Sequence, residues 1–218
     1  MYNDNVTYFE NTLWGNRSLE QYTITITRQF GSMGQMIAKK MSEILGIEYY
    51  DDEILKKVAE QTGMLESTIE DEEERAENRF EFMGLTFGHQ TSNVQDKIFK
   101  VQERVITELA EQQSCIIVGR CADYILRDFP NVVNIYIYAP EDDRIETCIE
   151  RYNIPDREAK RRIEDVDDAR RAYHLRYAGY EPDDHRYKDI MINSSFLGFE
   201  GTAHYLCECI KEKFHISE

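Results

Sequence analysis

The sequence is poor in basic residues and contains no long apolar run. Only 26 Lys and Arg residues stand against 42 Asp and Glu residues, which gives a formal net charge of −16 at pH 7. This balance disfavours a general attraction to nucleic acid or to an anionic membrane. Nowhere do about 18 apolar residues follow one another, and the opening residues MYNDNVTYFE lack the apolar core of a secretory signal. We therefore expect a cytoplasmic protein that binds neither nucleic acid nor membranes.

Cysteine pairs at the spacing of a metal site are also missing. The five cysteines are odd in number and lack any C-x-x-C spacing, so neither a disulfide framework nor a zinc site is indicated. Cys207 and Cys209 form a C-x-C pair, which we interpret as two small residues of a helix. The sequence leaves the metal ligands of this protein unknown.

The 218 residues suffice for one α/β domain with an insertion. The run TITIT, residues 23–27, is rich in β-branched residues and predicts a strand. After a turn, apolar residues at positions 37, 41, 44 and 45 follow helical spacing up to Gly46. The segments IEYY, SCIIVGR, NVVNIYIYAP and DIMINS predict four further strands, separated by helices. This alternation predicts a parallel sheet that helices cover on both faces.

Three of the predicted strands end in polar groups that suit a binding site. Arg28 ends the first strand, Asp51 and Asp52 follow the second, and Arg120 follows the third. Ligands of such sheets bind beyond the carboxyl ends of the strands, so we expect these side chains to lie close together. A helix cap for one of the aspartates and a salt bridge for Arg120 are the alternative roles.

The segment RQFGSMGQM connects the first strand to the first helix. Its glycines let backbone amides turn towards one point and the helix adds its positive end, so the turn can hold phosphate without a charged side chain. The full pattern G-x-x-x-x-G-K-[ST] is absent, because Met33 stands in the place of the last glycine and Gly34 in that of the lysine. A tight connection without a ligand explains the turn by itself equally well.

Four segments in chain order, ITITRQFGSMGQMIAKKMSEILGIEYYDDEIL, CIIVGRCADYIL, NIYIYAP and DIMINSS, resemble the cytidylate-kinase-like family of P-loop proteins. The resemblance covers roughly residues 23–214. Members commonly carry S-R-E-[YF]-G-S-G-G-R at the loop, so the missing lysine is a trait of the family. This chain departs from that motif at Thr27, Gln29, Met33 and Gln35.

The resemblance implies a three-layer P-loop NTPase fold with a mostly parallel five-stranded sheet, in a single domain of residues 1–218. Residues 1–22 are then an extension, residues 53–113 a helical acceptor-binding insertion and residues 156–177 a helical lid. It also implies a kinase that binds ATP with Mg²⁺ and transfers the terminal phosphoryl group to a small phosphorylated acceptor, such as the nucleoside monophosphate CMP. Such chemistry needs arginines that converge on the transferred group.

The same resemblance implies roles for individual residues. The catalytic candidates are Arg170, Arg120 and Arg28, and Arg144 is a further candidate. The nucleotide-binding candidates are Arg28, Gly31, Ser32, Met33, Gly34, Gln35 and Met36; the acceptor-binding candidates are Asp51, Asp52 and Arg120; the lid candidates are Arg162, Asp167 and Arg170. A solvated helix with internal ion pairs, such as Asp167 with Arg171, explains the lid charges equally well.

Two other functions remain open. Met33 is bulky enough to crowd a phosphate path and the neutral Gln35 cannot replace a cation, so the chain could bind a nucleotide or another phosphorylated ligand as a sensor or assembly module. A structural interaction protein is the third interpretation, in which the acidic run at residues 66–79 is a binding surface and not a solvated helix face. Neither the acceptor nor the oligomeric state follows from the sequence.

Overall fold

The protein is built around a parallel sheet of five strands. The computed structural model describes residues 21–69 and 91–216. The strands in these ranges are β1 (Thr23–Arg28), β2 (Glu48–Tyr50), β3 (Cys115–Val118), β4 (Val132–Tyr138) and β5 (Ile190–Asn193). They lie in the order β2-β3-β1-β4-β5, and each pair of neighbours is parallel.

Strand β1 lies at the centre of the sheet. Its first residue, Thr23, pairs with Cys115 of β3 on one side and with Val132 of β4 on the other. Ile24 and Ile26 have no exposed surface. The run of β-branched residues suits a strand that is buried in this way, because branched side chains pack well on a pleated surface.

Helices cover both faces of the sheet. They are α1 (Gly34–Leu45), α2 (Asp52–Thr62), α3 (Thr91–Gln112), α4 (Ala122–Ile125), α5 (Glu141–Tyr152), α6 (Asp156–Ala178) and α7 (Ser194–Phe214), with a 3₁₀ turn at His185–Tyr187. A proline precedes both α5 and α6, and acidic side chains lie in the first turn of each, where the helix dipole favours negative charge.

Two apolar clusters hold the helices to the sheet. The first joins β1, β3 and β4 to α1 and α7 and includes Ile26 and Leu206. The second joins β3 to α2, α3 and α4 and includes Ile54 and Ile106. Full burial of one such side chain contributes about 1.5–3 kcal/mol, so these clusters supply most of the stabilisation of the three layers.

The second half of α6 packs against α3. The ring of Tyr177 stacks on that of Phe99, with the ring centroids 3.9 Å apart. One turn earlier, the hydroxyl of Tyr173 donates a hydrogen bond to the side chain of Gln102. These contacts fix α6 relative to α3, which matters because α6 carries several of the predicted site residues.

The predicted elements agree with this architecture, with small differences at their ends. The strand expected at residues 47–50 begins at Glu48, and the helix expected in CADYILRDF is the single turn of α4. The expected insertion contains α2 and α3, and the expected lid coincides with α6 within one residue. Residues 1–20 and most of the acidic run at 66–79 lie outside the described residues.

Within the described ranges, no helix combines the length and the apolar character that crossing a membrane requires.

Candidate functional site

A cavity of ≈ 680 Å³ opens at the carboxyl ends of β1, β2 and β3. Ligands of parallel sheets bind at this edge, and the volume suits a small molecule. The walls come from the end of β1, the starts of α1 and α2, the turn after β3, and α6 with the loop that follows it. The polar and charged residues in these walls include Thr27, Arg28, Gln29, Gln35, Asp51, Asp52, Arg120, Asp167, Asp168, Arg170, Arg171, Tyr173, His174, Glu181 and Asp183.

Arg28, the last residue of β1, extends across the cavity. A Cβ atom placed on Gly34 would lie 2.8 Å from the Cβ of Arg28, and one placed on Gly119 would lie 2.1 Å from its Nη1. The Arg28 side chain therefore runs from the first residue of α1 to the turn after β3, and only glycines leave room for it. Its Nη2 lies 3.8 Å from Oδ1 of Asp51, so the guanidinium group also faces the end of β2.

The turn after β3 has an unusual backbone. Gly119, Arg120 and Cys121 have φ angles of 75°, 54° and 54°, so three successive residues are left-handed. For a residue other than glycine this conformation costs about 1–2 kcal/mol, and such strain concentrates at functional sites. The Gly119 N–H donates to the carbonyl oxygen of Ile26 at 2.9 Å, which ties the turn to β1. The turn places Arg120 in the cavity wall.

Asp51 faces the cavity and does not cap a helix. It precedes α2, but its side chain makes no capping hydrogen bond. Its Oδ2 accepts a hydrogen bond from the hydroxyl of Tyr49 at 3.2 Å. Tyr49 also bonds to the side chain of Gln35, and burial together with the charge of Asp51 raises the pKa of Tyr49. Asp52 is exposed in the first turn of α2 and lines the same cavity.

The loop between β1 and α1 keeps most of its side chains out of the cavity. Ser32 is fully buried, and its hydroxyl donates to the carbonyl oxygens of Gln29 at 2.9 Å and Ile137 at 3.3 Å. Met33 has a left-handed φ of 59° and packs against the apolar cluster of α1 and α7. Met33 is not among the residues that line the cavity, and the expectation that it crowds the phosphate path stays a prediction. Gln29 and Gln35 reach the cavity.

Asp167 fastens α6 to this loop. Its Oδ1 accepts a hydrogen bond from the Phe30 N–H at 2.7 Å, and its Oδ2 accepts one from Nη1 of Arg144 at 2.5 Å. Arg144 Nη1 also donates to the carbonyl oxygen of Phe30 at 3.3 Å. Arg144 is not among the cavity-lining residues, so in this structure it acts on the loop through Asp167.

Arg170 lies beside Arg28 in the cavity. Its Nη1 donates to the carbonyl oxygen of Arg28 at 3.2 Å, and its guanidinium carbon lies 5.7 Å from the ring centroid of Phe30. Loss of water and then the charge of Arg28 lower the pKa of Arg170 to about 9, against the opposing effects of Asp167 and Asp51. Two guanidinium groups that disfavour each other's charge are stabilised by an anion between them.

Several residues singled out from the sequence meet in this cavity. They are Arg28, Gln35, Asp51, Asp52, Arg120, Asp167 and Arg170. The walls do not include Gly31, Ser32, Met33, Gly34, Met36 or Arg162. Sequence reasoning missed Tyr49 and Gly119, which are close in sequence to Asp51 and Arg120. It also missed His174, whose spacing of four residues from Arg170 on one helix was an available signal.

The donor set does not form a cage for a metal ion. In residues 21–69 and 91–216, no group of three or more His, Cys, Asp or Glu side chains is arranged to hold one. Mg²⁺ commonly keeps several waters and binds through one or two carboxylates together with substrate phosphates. Asp51 and Asp52 suit that second mode.

The sheet order, the glycine loop after β1 and the cavity at the strand ends define an α/β protein with the fold of P-loop kinases. The sequence model of the cytidylate kinase-like family matches residues 23–196, and the chain belongs to this family. This match confirms the predicted family. A search of the curated proteins finds no match.

Solved structures share the fold. An uncharacterized protein from Eubacterium ventriosum ATCC 27560 is 28% identical with a TM-score of 0.68, over 88% of this chain and 99% of that chain. A gluconokinase from Sinorhizobium meliloti 1021 is 11% identical with a TM-score of 0.51, over 89% and 95% of the two chains. A shikimate kinase from Bacteroides thetaiotaomicron is 11% identical with a TM-score of 0.50, over 89% and 99%. At these identities the two kinases indicate the fold alone; the family match relates this protein to phosphotransferases.

Proposed function

We propose that this protein is a kinase that binds ATP with Mg²⁺ and transfers the terminal phosphoryl group to a small phosphorylated acceptor. The observation that carries the proposal is the meeting of Arg28 and Arg170 in one cavity, where burial and mutual repulsion lower the pKa of Arg170. Phosphoryl transfer depends on positioning and on neutralising charge, and convergent guanidinium groups supply both.

The nucleotide end of the site lies at the loop and at the start of α1. ATP supplies the phosphoryl group, and Mg²⁺ offsets the negative charge of its phosphates. Arg28 contributes a fixed positive charge on the floor of the cavity, in place of the absent P-loop lysine. Asp51 and Asp52 would hold the hydrated ion. Gln35, which bonds to Tyr49, orients a neutral donor towards the same space.

The acceptor end lies at Arg120. The strained turn of residues 119–121 holds this arginine in the cavity wall, which Asp51 also lines. A guanidinium group binds a phosphate through two parallel hydrogen bonds, which suits a phosphorylated acceptor. A nucleoside monophosphate such as CMP is the acceptor that the family implies.

A second function is favoured by one contact. The Phe30 N–H, which belongs to the loop that would bind phosphate, is occupied by the carboxylate of Asp167. If this contact persists when a nucleotide binds, the protein is a nucleotide sensor or assembly module without turnover. Gln35, which is neutral where the family commonly has arginine, agrees with that alternative.

The test is a coupled assay of triphosphate consumption with Mg²⁺ across the common nucleoside monophosphates. Arg120→Ala is compared with wild type, and Arg127→Ala serves as the matched control because Arg127 is exposed and pairs with Asp128. We expect turnover that requires an acceptor and that is lost only in Arg120→Ala. Failure of every acceptor while calorimetry still detects ATP binding would support the sensor. A protein that binds no nucleotide contradicts both functions.

A further inference from the structure

A buried charged cluster lies next to the cavity and takes no part in the proposed chemistry. Its centre is Asp123 of α4, whose side chain is 1% exposed. The Asp123 carboxylate accepts hydrogen bonds from Nε2 of His174 at 3.1 Å, from the hydroxyl of Tyr180 at 3.2 Å and from Nζ of Lys188 at 2.5 Å. The Lys188 side chain is fully buried, and its Nζ also contacts Oγ1 of Thr27 at 3.3 Å.

His174 faces a hydrogen-bond acceptor at each of its ring nitrogens. Nδ1 lies 2.8 Å from the carbonyl oxygen of Tyr180, and Nε2 lies 3.1 Å from the Asp123 carboxylate. A neutral imidazole donates from only one nitrogen, whereas imidazolium donates from both. Asp123 can only accept here, because it is ionised. Burial raises its pKa, but the hydrogen bond from His174 and the charge of Lys188 lower the pKa by more than burial raises it. Both contacts therefore require doubly protonated His174.

The groups that contact His174 and Asp123 come from α4 and from the loop between α6 and β5: Asp123 belongs to α4, and Tyr180 and Lys188 belong to the loop. On the α3 side, the polar groups that contact this part of α6 are Gln102, which bonds to Tyr173, and Asp96, which bonds to Arg176 and Tyr177. Asp123 is the only carboxylate within hydrogen-bond distance of the ring or of Lys188 among the described residues. The Asp123 carboxylate therefore pairs with two cations, protonated His174 and Lys188. When the ring loses its proton, the contact with either Asp123 or Tyr180 is lost.

His174 shares a helix face with the site residues of α6. It follows Asp167 by seven positions and Arg170 by four, and residues at this spacing lie on one face. All three side chains form hydrogen bonds to other elements of the domain. Asp167 binds the Phe30 N–H, Arg170 binds the Arg28 carbonyl oxygen, and His174 binds the Asp123 carboxylate. The last contact therefore helps to fix the helix segment that carries the first two, together with the contacts of Tyr173 and Tyr177 with α3.

We propose that Asp123, protonated His174 and Lys188 form a pH-sensitive anchor that positions Arg170 of α6 at the cavity. The inference rests on the proposed function for its effect on catalysis. The three anchor residues are positioning residues, since they reach the transferred group only through α6. Loss of the second ring proton of His174 as the pH rises then loosens α6 and lowers turnover.

The first test reads the protonation of His174 in the wild-type protein by two-dimensional ¹⁵N NMR of the imidazole rings. His174→Gln identifies the signal, and the exposed His204→Gln is the control. We expect two protonated ring nitrogens for His174 at the lowest pH at which the protein is folded. A ring that is neutral there in the folded protein overturns the anchor, whether or not the protein is a kinase.

The second test measures amide hydrogen exchange of α6 relative to α1 in the same sample, which cancels the intrinsic effect of pH. As the pH rises, exchange in α6 should become roughly tenfold faster than in α1, because one charge-assisted hydrogen bond is lost. In His174→Gln the ratio should no longer depend on pH. A ratio that is constant with pH in wild type contradicts the proposal.

Kinetics separate positioning from simple destabilisation. In a protein that turns over, His174→Gln should lower kcat by at least tenfold, remove the part of its pH dependence that comes from His174 and leave KM for ATP within about threefold. An unchanged kcat overturns the positioning role. Should no acceptor support turnover, the proposed function fails, while the NMR and exchange results still decide whether the anchor exists.

Discussion

Arg170 donates a hydrogen bond to the main-chain carbonyl oxygen of Arg28 at 3.2 Å, although the two residues are 142 positions apart in the chain. The contact joins α6 to the last residue of β1 and holds two guanidinium groups in one cavity. Because Arg28 destabilises the charge of Arg170, an anion that binds between them is favoured before any other contact is made.

Replacing Arg170 by alanine should remove a charge that acts in the transition state. We expect kcat to fall by about 10²–10³ with a smaller change in KM, as when one preorganised donor is lost. The measurement is steady-state kinetics with whichever acceptor supports turnover. Arg161→Ala, an exposed residue of the same helix paired with Asp165, is the control and should behave like wild type. Equal losses in both variants would mean that general helix charge, and not the Arg170 position, matters.

Gly119→Ala tests the path of the Arg28 side chain. The new Cβ would lie 2.1 Å from Nη1 of Arg28, so the guanidinium group must move. We expect ATP affinity, measured by calorimetry, to weaken roughly ten- to hundredfold, since a charge-assisted contact is lost. Gly46→Ala is the matched control, because Gly46 also has a positive φ but nothing lies within 4 Å of its Cβ position. Gly46→Ala should lower the free energy of unfolding by about 1 kcal/mol and leave the affinity for ATP unchanged.

Met33 and Gln35, two of the four altered positions, should respond differently to restoration of the family residues. Met33 packs against the core, so Met33→Gly should leave ATP affinity unchanged while relief of the left-handed strain roughly offsets the lost packing. Gln35 lines the cavity, so Gln35→Arg adds a cation there and should tighten ATP binding roughly tenfold. Calorimetry on both variants decides this. Tighter binding by Met33→Gly alone would show that Met33 does obstruct the ligand.

Asp123→Asn should destabilise the protein in a pH-dependent way. Burial raises the pKa of Asp123, but His174 and Lys188 outweigh it, so the folded pKa lies below the ordinary value of 3.8. An aspartate with a lowered pKa stabilises the fold above its unfolded pKa, and this contribution is lost as the pH falls through the folded pKa. We expect a loss of about 3–5 kcal/mol at neutral pH that shrinks below pH of about 4.

Urea unfolding of wild type and Asp123→Asn at a series of pH values measures this difference. Asp128→Asn is the control, because Asp128 is 74% exposed beside Arg127 and should change stability by no more than about 0.5 kcal/mol. A difference between wild type and Asp123→Asn that does not vary with acid pH would show that the charge of Asp123 contributes nothing.

Local sequence determined much of this protein. The β-branched run of β1, the proline and acidic starts of α5 and α6, and the order of strands and helices follow from the periods and preferences of neighbouring residues. These features sufficed to predict the parallel sheet, and the resemblance of four segments predicted the family. They also placed Arg28, Asp51 and Arg120 at strand ends, because each directly follows or ends an apolar run.

Only the tertiary structure decided how those residues combine. The contacts of Asp167 with Phe30, and of His174 with Asp123, span 137 and 51 residues of chain, and no periodicity encodes them. Met33 illustrates the limit: its bulk suggested an obstructed phosphate path, and only the structure shows that its side chain packs against the apolar cluster. Local preference acts between neighbours in sequence, whereas burial and charge pairing select partners only after the sheet and helices have packed.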